Sequence, residues 1–229
     1  ESRGLGDVYK RQFVANVADQ IIASNSADMD AFMAEAWALD TTKTVKDELV
    51  SQIAVIGENM NIRRFEKLES DGVIVSYIHG GGRIGVLVEA DAPKNEAVEE
   101  ALKNVAMQVA ALNAKFVSQA EISDEYKEHE KAILLEQIKN DPKESQKPEK
   151  VINGMIMGRL NKEFKEICLL DQVYVKAEDG KQTVAKYLEQ VSKEVGADIT
   201  LNKFVRFETG EGLEKKEEDF AAEVAAQMK

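Results

Sequence analysis

The sequence predicts an α+β fold with two repeated subdomains of antiparallel β-sheet and helix, an inserted antiparallel helical hairpin and a C-terminal helix. Apolar residues at helical spacing alternate along the chain with short β-rich runs, which is typical of mixed folds. The order helix, glycine, Arg-Phe-Glu also occurs twice, with Gly57 before residues 64–66 and Gly196 before residues 206–208. These two observations indicate an internal repeat.

The chain begins with a segment that we expect to lie outside the fold. Residues 1–12 show neither helical nor strand periodicity, and we interpret them as a non-native or disordered leader. Regular spacing starts at Phe13, which shares one helical face with Val17 and Ile21. A second short helix is predicted over residues 28–39.

A capped helix is followed by a predicted strand. Apolar residues recur at steps of three and four over residues 45–56, Thr44 and Asp47 resemble an N-terminal cap, and Gly57 is a stop signal. Residues 60–68 are predicted to form a strand.

We assign residues 13–71 to the first subdomain. It should lack two strands, because no counterpart of the hairpin in the second half precedes Phe13.

The second subdomain is predicted to combine residues 72–116 with residues 167–210. Two β-rich runs around a glycine cluster favour a hairpin, and a strongly amphipathic helix should cover one of its faces. The predicted strands are 73–78, 84–88, 173–176 and 204–208, and the predicted helices are 98–112 and 184–195.

Residues 117–166 separate the two parts of this subdomain and predict a helical hairpin. Two charge-rich amphipathic segments are joined by a loop that contains Pro142 and Pro148. The narrow apolar stripes of such an arm allow self-association with a second copy. Residues 211–229 are assigned to a C-terminal module, in which Phe220 and Val224 have the spacing of one helical turn.

Composition excludes several classes of protein. A single cysteine, Cys168, excludes an internal disulfide and is far from the ligand set of a zinc site, so we expect no metal and no cofactor. The net charge of −12 argues against a nucleic-acid partner. No apolar run reaches the roughly 18 residues of a membrane span. We expect a cytoplasmic protein that is not an enzyme.

Four blocks of the sequence resemble one family. Residues 56–64, 79–88, 106–111 and 206–224 are similar, in this order, to bacterial translation elongation factor Ts. The family also has an N-terminal ubiquitin-associated-like domain and a first core hairpin, which we expect to be missing here. The resemblance implies a guanine-nucleotide exchange factor that binds the GTPase elongation factor Tu and promotes GDP release by distorting its phosphate and magnesium site.

The resemblance also implies docking residues. Residues 13–15 match the end of a Thr-Asp-Phe-Val-Ala run whose phenylalanine inserts into the GTPase in the family, although Arg11 and Gln12 replace its threonine and aspartate. The expected partner-binding residues are Phe13, Val14, Ala15, Ile56, Gly57, Asn61, Arg63, His79, Phe220 and Val224.

Each assignment has a structural alternative. Phe13 is equally explained as a core residue, Gly57 as a helix stop, His79 as a solvated turn residue and Arg63 as a solvated charge. A phosphate-binding loop at residues 80–83 is rejected, because a strand rather than a helix follows. The alternative function is a structural dimerisation module built on the arm.

Overall fold

The protein is a mixed structure of helices and small antiparallel sheets, in agreement with the predicted α+β class. The computed structural model describes residues 2–213. The chain divides into two compact units, Glu1–Glu69 and Ser70–Lys229. The division falls at 69/70, whereas the sequence analysis placed it at 71/72.

The first unit is mainly helical, with one short sheet. Its elements are α1 (Ser2–Ala23), α2 (Met29–Ala34), β1 (Ala36–Trp37), β2 (Asp40–Thr44) and α3 (Val45–Ile56). Strands β1 and β2 pair antiparallel. The buried core of the unit comprises Phe13, Val17, Phe32, Trp37, Val45 and Leu49.

Helix α3 begins and ends where the sequence predicts. The Thr44 hydroxyl accepts from the Asp47 amide, and the Asp47 carboxylate accepts from the Thr44 amide, which forms a complete capping box. Gly57 ends the helix in the left-handed conformation (φ 77°, ψ 14°).

Two expectations for this unit are wrong, and one of the two alternatives given for residues 1–12 is contradicted. Residues 2–12 lie in α1, so they are not an unstructured leader; whether they are native to the protein stays a prediction. Helix α2 is shorter than 28–39, because Glu35 is extended and its carbonyl accepts from the Val45 amide, so that the chain leaves the helix for β1. Residues 60–68 form no strand, because no strand among the described residues pairs with them.

The second unit is built on a three-stranded antiparallel sheet. Strands β3 (Val73–His79), β4 (Ile84–Asp91) and β5 (Thr200–Glu208) lie in that order, and α4 (Glu96–Leu112) and α7 (Val184–Val195) also belong to this unit. Apolar residues of the sheet and of both helices form one core. The predicted β3–β4 hairpin, both helices and the strand at 204–208 are therefore confirmed.

The strand expected at 173–176 is wrong. Val173 makes only an isolated bridge to Thr183. The bridge does not extend into a strand, because the Val175 amide donates to the side chain of Gln108 and not to a neighbouring strand.

The arm is a helical hairpin with its own core. It comprises α5 (Asp124–Asn140) and α6 (Glu149–Ile167), which enclose a buried cluster that includes Ile138, Ile156 and Leu160. The two ends of the insertion meet at its base, where the Lys115 amide donates to the Ile167 carbonyl at 2.9 Å. An insertion that leaves and returns at one point need not disturb the sheet.

A buried glutamine holds an extended segment in each unit. The Gln20 Nε2 donates to the Ala36 carbonyl at 3.1 Å, and its Oε1 accepts from the Ala38 amide at 2.8 Å. In the second unit the Gln108 side chain does the same for Val173 and Val175, at 3.0 and 2.8 Å. Each carboxamide therefore replaces the peptide group of a neighbouring strand and satisfies backbone groups that would otherwise be unpaired.

We expect Gln108→Met to destabilise the second unit. The side-chain volume is nearly preserved, but the Val173 carbonyl and the Val175 amide lose their partner, and each of these part-buried hydrogen bonds contributes about 0.5–1.5 kcal/mol. The free energy of unfolding, measured in urea by far-ultraviolet circular dichroism, should fall accordingly. Gln190→Met on the exposed side of α7 is the matched control and should change it by less than about 0.5 kcal/mol. Equal effects of the two substitutions would contradict this role of Gln108.

Candidate partner-binding surfaces

The end of α3 and the outer side of α1 form one surface in the first unit. Gly57 is exposed, Ile56 is half-buried, and Glu58 forms an ion pair with Lys10 of α1. Lys10 lies one helical turn before Val14, so this ion pair brings the Val14 side of α1 to the Gly57 turn. Gly57 has no side chain and leaves its backbone open to close approach.

Two exposed valines flank the ion pair. Val14 is 61% exposed and Val55 is 67% exposed. Val55 lies near the end of α3, three residues before Glu58, and Lys10 lies four residues before Val14 on α1. We define the Gly57 surface as Lys10, Val14, Val55, Ile56, Gly57 and Glu58.

Half of this surface lies outside the docking residues expected from the sequence. Lys10, Val55 and Glu58 were not among the expected docking residues. One feature of the sequence points to Val55. It is apolar although it lies off the buried stripe of α3, which contains Val45 and Leu49. An apolar residue on the outer side of an amphipathic helix points to a contact outside the chain only when its neighbours are also exposed.

Phe13 and the two residues after it have opposite environments. Phe13 is 5% exposed, and its ring centroid lies 6.1 Å from that of Trp37 in the core. Val14 and Ala15 are exposed. The position of Phe13 supports the core alternative, and a contact of its ring with a partner stays a prediction that requires the ring to leave this packing.

Asn61 and Arg63 lie in the irregular segment that follows Gly57. Both are exposed, whereas Met60, Ile62 and Phe65 turn inward and pack on the core. The alternation resembles that of a strand, although no strand within residues 2–213 pairs with this segment, so the inward residues hold it in place. Asn61 and Arg63 remain accessible to a partner.

His79 belongs to the second unit and ends β3. Its Nδ1 lies 3.0 Å from the Tyr77 hydroxyl oxygen, and the ring is exposed. The glycines of residues 80–82 form the turn with positive φ, and β4 follows directly. A strand after the glycines agrees with the rejection of a phosphate-binding loop.

Phe220 and Val224 lie outside the described residues. Within residues 2–213, no group of three His, Cys, Asp or Glu side chains is arranged to hold a metal ion. No helix in that range is both long and apolar enough to cross a membrane.

Glu35 is the centre of a polar cluster in the first unit. Its carboxylate accepts from the hydroxyls of Ser24 (2.6 Å) and Ser26 and from Gln20 Nε2 (3.2 Å). These hydrogen bonds, that of Ser24 first, lower the pKa of Glu35 below its usual value, although burial acts in the opposite direction. The cluster lines a surface cleft of about 560 Å³. Because the donors already surround the carboxylate, the cluster fastens the end of α1 to the start of β1.

Exposed apolar residues that lie close together, as Val14 and Val55 do around Gly57, are typical of proteins that contact another protein. Comparison with known proteins assigns the family: the family model described as "Elongation factor TS" matches residues 9–211. The match includes Tyr9 to Gln12 and ends before Phe220 and Val224.

Relatives from several clostridia agree with this assignment. Elongation factor Ts of Clostridium botulinum (strain ATCC 19397 / Type A) is 50% identical over 215 residues, which cover 93% of this chain and 68% of that protein. Elongation factor Ts of Clostridium novyi (strain NT) is 49% identical over 219 residues, 95% of this chain and 70% of that protein. This chain belongs to the elongation factor Ts family, and it is a translation elongation factor.

We expect Glu35→Gln to make the first unit less sensitive to acid. A carboxyl whose pKa is lowered by folding stabilises the protein above its unfolded pKa of about 4.3, and this stabilisation is lost as the pH falls through the lower, folded value. Trp37, the single tryptophan, lies in the core of the first unit, so its fluorescence follows unfolding there.

The measurement is the urea unfolding of parent and variant at about pH 6 and about pH 3. Between the two pH values the parent should lose more stability than Glu35→Gln. The control is Glu178→Gln, which changes an exposed glutamate of the second unit and should behave like the parent. An identical acid response of parent and Glu35→Gln would refute the role given to this carboxylate.

Proposed function

We propose that this chain is a guanine-nucleotide exchange factor that binds elongation factor Tu and promotes GDP release. The observation that carries the proposal is the Gly57 surface, which presents two exposed valines and an open glycine backbone in a member of the elongation factor Ts family. The proposed place of action is the cytoplasm.

Exchange by such a factor follows from differential binding. The factor binds most tightly to the form of the GTPase in which the phosphate and magnesium contacts of GDP are distorted. By linkage, factor and nucleotide then weaken each other's affinity by the same ratio. No covalent bond is made or broken on the factor, so it is proposed not to be an enzyme and to need no cofactor of its own.

The residues of the first unit have complementary roles in this proposal. Val14 and Val55 supply apolar area, which becomes favourable when a partner removes it from water. Gly57 allows the partner to approach the backbone, and Asn61 and Arg63 supply polar contacts beside it. Phe13 holds α1 in the core, so that Val14 and Ala15 are presented outward.

Further contacts are proposed outside the first unit. His79 is exposed at the end of β3, where its Tyr77 hydrogen bond limits the orientation of the ring. Phe220 and Val224 of the C-terminal module complete the docking set. With a net charge of −12, the chain is not proposed to bind nucleic acid.

The direct test is the release of a fluorescent GDP analogue from elongation factor Tu. Unlabelled GDP is added in excess, and the release rate is followed with and without substoichiometric amounts of this chain. Acceleration supports the proposal. No acceleration together with no complex in a titration would refute it for this chain.

We expect Val14→Asp to impair exchange without unfolding the protein. In the free protein the exposed position tolerates the charge. In the complex the charge is buried in an apolar contact, so the exchange kcat/KM of the variant should fall roughly tenfold, or by about 1.4 kcal/mol. Val175→Asp is the matched control, because Val175 is also exposed, at 48%, and lies outside the candidate set. Equal losses in the two variants would show that Val14 is not a docking residue.

A second candidate function is self-association through the arm. Its helices expose Ile133 (39%), Val151 (45%) and Met157 (53%) to solvent. Sedimentation equilibrium over a range of concentrations distinguishes the two proposals. A dimer that forms without any effect on GDP release would favour the structural role, and a monomer at all concentrations would exclude it.

A further inference from the structure

The inner face of the β3–β4–β5 sheet changes from apolar to polar at one end. Val73 and Val75 of β3 and Val88 of β4 lie in the core that the sheet shares with α4. Residues directly opposite in an antiparallel pair lie on the same face. The register adds two more rows to this face, Tyr77–Val86–Arg206 and, at the end of the sheet, His79–Ile84–Glu208. We call the four polar residues of these rows the sheet corner.

Each exposed residue of the sheet corner is held by the residue two positions before it on its own strand. Residues i and i+2 of a strand lie on one face. The Tyr77 hydroxyl oxygen lies 3.0 Å from His79 Nδ1. On β5, Arg206 Nη2 donates to Glu208 Oε2 at 2.6 Å. His79 and Glu208 are exposed, whereas Tyr77 is half-buried against the core and the Arg206 side chain is 9% exposed.

Arg206 is an unfavourable residue for the stability of the second unit. Its Nε is buried and has no hydrogen-bond partner within residues 2–213. Val86, which lies opposite Arg206, is 2% exposed, so the arginine extends from the edge of an apolar core. Replacing a buried ionic side chain by an apolar one of similar volume is often neutral or stabilising. Packing alone therefore does not account for an arginine here, which leaves its contact with Glu208 as the explanation.

The Tyr77 contact determines what the His79 ring offers to another molecule. Either ring nitrogen of a neutral histidine can carry the proton, and the hydrogen bond made at one nitrogen sets the state of the other. A tyrosine hydroxyl that donates to Nδ1 leaves the proton on Nε2. The exposed ring then acts as a hydrogen-bond donor, and the Glu208 carboxylate acts as an acceptor.

The sheet corner presents this donor and this acceptor at a fixed spacing. His79 and Glu208 lie on either side of Ile84, so their backbones are two strand spacings apart, or about 10 Å. A protein that fits has a carbonyl or carboxylate opposite His79 and an amine or guanidinium opposite Glu208. Complementary polar groups at set positions fix the register of an interface and exclude other partners.

We propose that Tyr77 and Arg206 are positioning residues for recognition of the GTPase. Through them the His79 ring is held as an Nε2 donor and the Glu208 carboxylate as an acceptor in the complex. Glu208 is thereby added to the docking residues. The inference rests on the proposed function, because elongation factor Tu is the partner that supplies the matching acceptor and cation.

Arg206→Met tests the β5 half of the sheet corner. The dissociation constant for elongation factor Tu with GDP, measured by isothermal titration calorimetry, should rise about tenfold. The urea midpoint of the free chain should stay the same or rise, because the unpaired Nε is removed. A purely structural arginine gives the reverse, a lower midpoint with an unchanged dissociation constant, and that result would overturn the proposal. Arg159→Met is the matched control: Arg159 also donates to a glutamate, Glu144, at 2.6 Å, and its loss should leave the dissociation constant unchanged.

Double-mutant cycles show whether the positioning residues act through their partners. Tyr77→Phe keeps the ring and should raise the dissociation constant about fivefold. It should have no further effect in a chain that carries His79→Ala, and Arg206→Met should have none in a chain that carries Glu208→Gln. Losses that simply add in both cycles would refute the positioning roles.

The state of the His79 ring is also measurable in the free chain. The protein has two histidines, so nitrogen-15 spectra of the rings are simple, and the exposed His129 is the internal control. At about pH 8, where histidine is ordinarily neutral, His79 should have an unprotonated Nδ1, and Tyr77→Phe should mix the two tautomers while His129 stays unchanged. A protonated Nδ1 in the parent would contradict the role of Tyr77.

The outcomes for this inference and for the proposed function are separable. If the parent chain does not bind elongation factor Tu, the proposed function is refuted and this inference falls with it. If the parent binds and the variants of the sheet corner bind equally well, the proposed function stands and this inference alone is refuted.

Discussion

The carboxamide of Gln20 is the interaction on which the geometry of the first unit depends. By bonding to Ala36 and Ala38 it fixes α1 against β1, and the short β1–β2 hairpin leads directly into α3. Helix α3 ends at Gly57, and Glu58 returns to α1 through Lys10. The position of the Gly57 surface therefore depends on two contacts of α1, the buried Gln20 hydrogen bonds to residues 36 and 38 and the Lys10–Glu58 ion pair. Gln108 has the same relation to Val173 and Val175 in the second unit, which supports the proposed internal repeat.

Residues 56–64, the first block that resembles the family, combine a structural and a proposed functional role. Gly57 stops α3 because only a residue without Cβ adopts its φ of 77° at little cost. The same lack of a side chain leaves the backbone open at the surface proposed to meet elongation factor Tu. At residues 13 and 14 the two roles belong to different residues. The ring of Phe13 packs on Trp37 in the core, and Val14 faces solvent, where it is proposed to contact the partner. The family resemblance alone did not distinguish these two residues.

Local signals predicted most of the fold, and the errors lie where long-range pairing decides. The Thr44–Asp47 capping box, the Gly57 stop and the periodicity of α4 are contained within a few residues of sequence. A strand, in contrast, requires a partner: residues 60–68 alternate in burial yet pair with no strand in the described part of the chain. At Val175 the partner is a glutamine side chain, which no strand pattern reveals. Val55 is apolar and lies off the buried stripe of α3, but such a residue indicates an outside contact only when its neighbours are also exposed, and spacing alone does not give their exposure.

The central claim is that the Gly57 surface is the place where this factor docks on elongation factor Tu. Amide hydrogen exchange of this chain, alone and in the presence of elongation factor Tu and GDP, tests it most directly. The account predicts slower exchange at the end of α3 and in residues 58–63, together with the Val14 region of α1. Protection confined to the arm, with unchanged exchange in these segments, would contradict it.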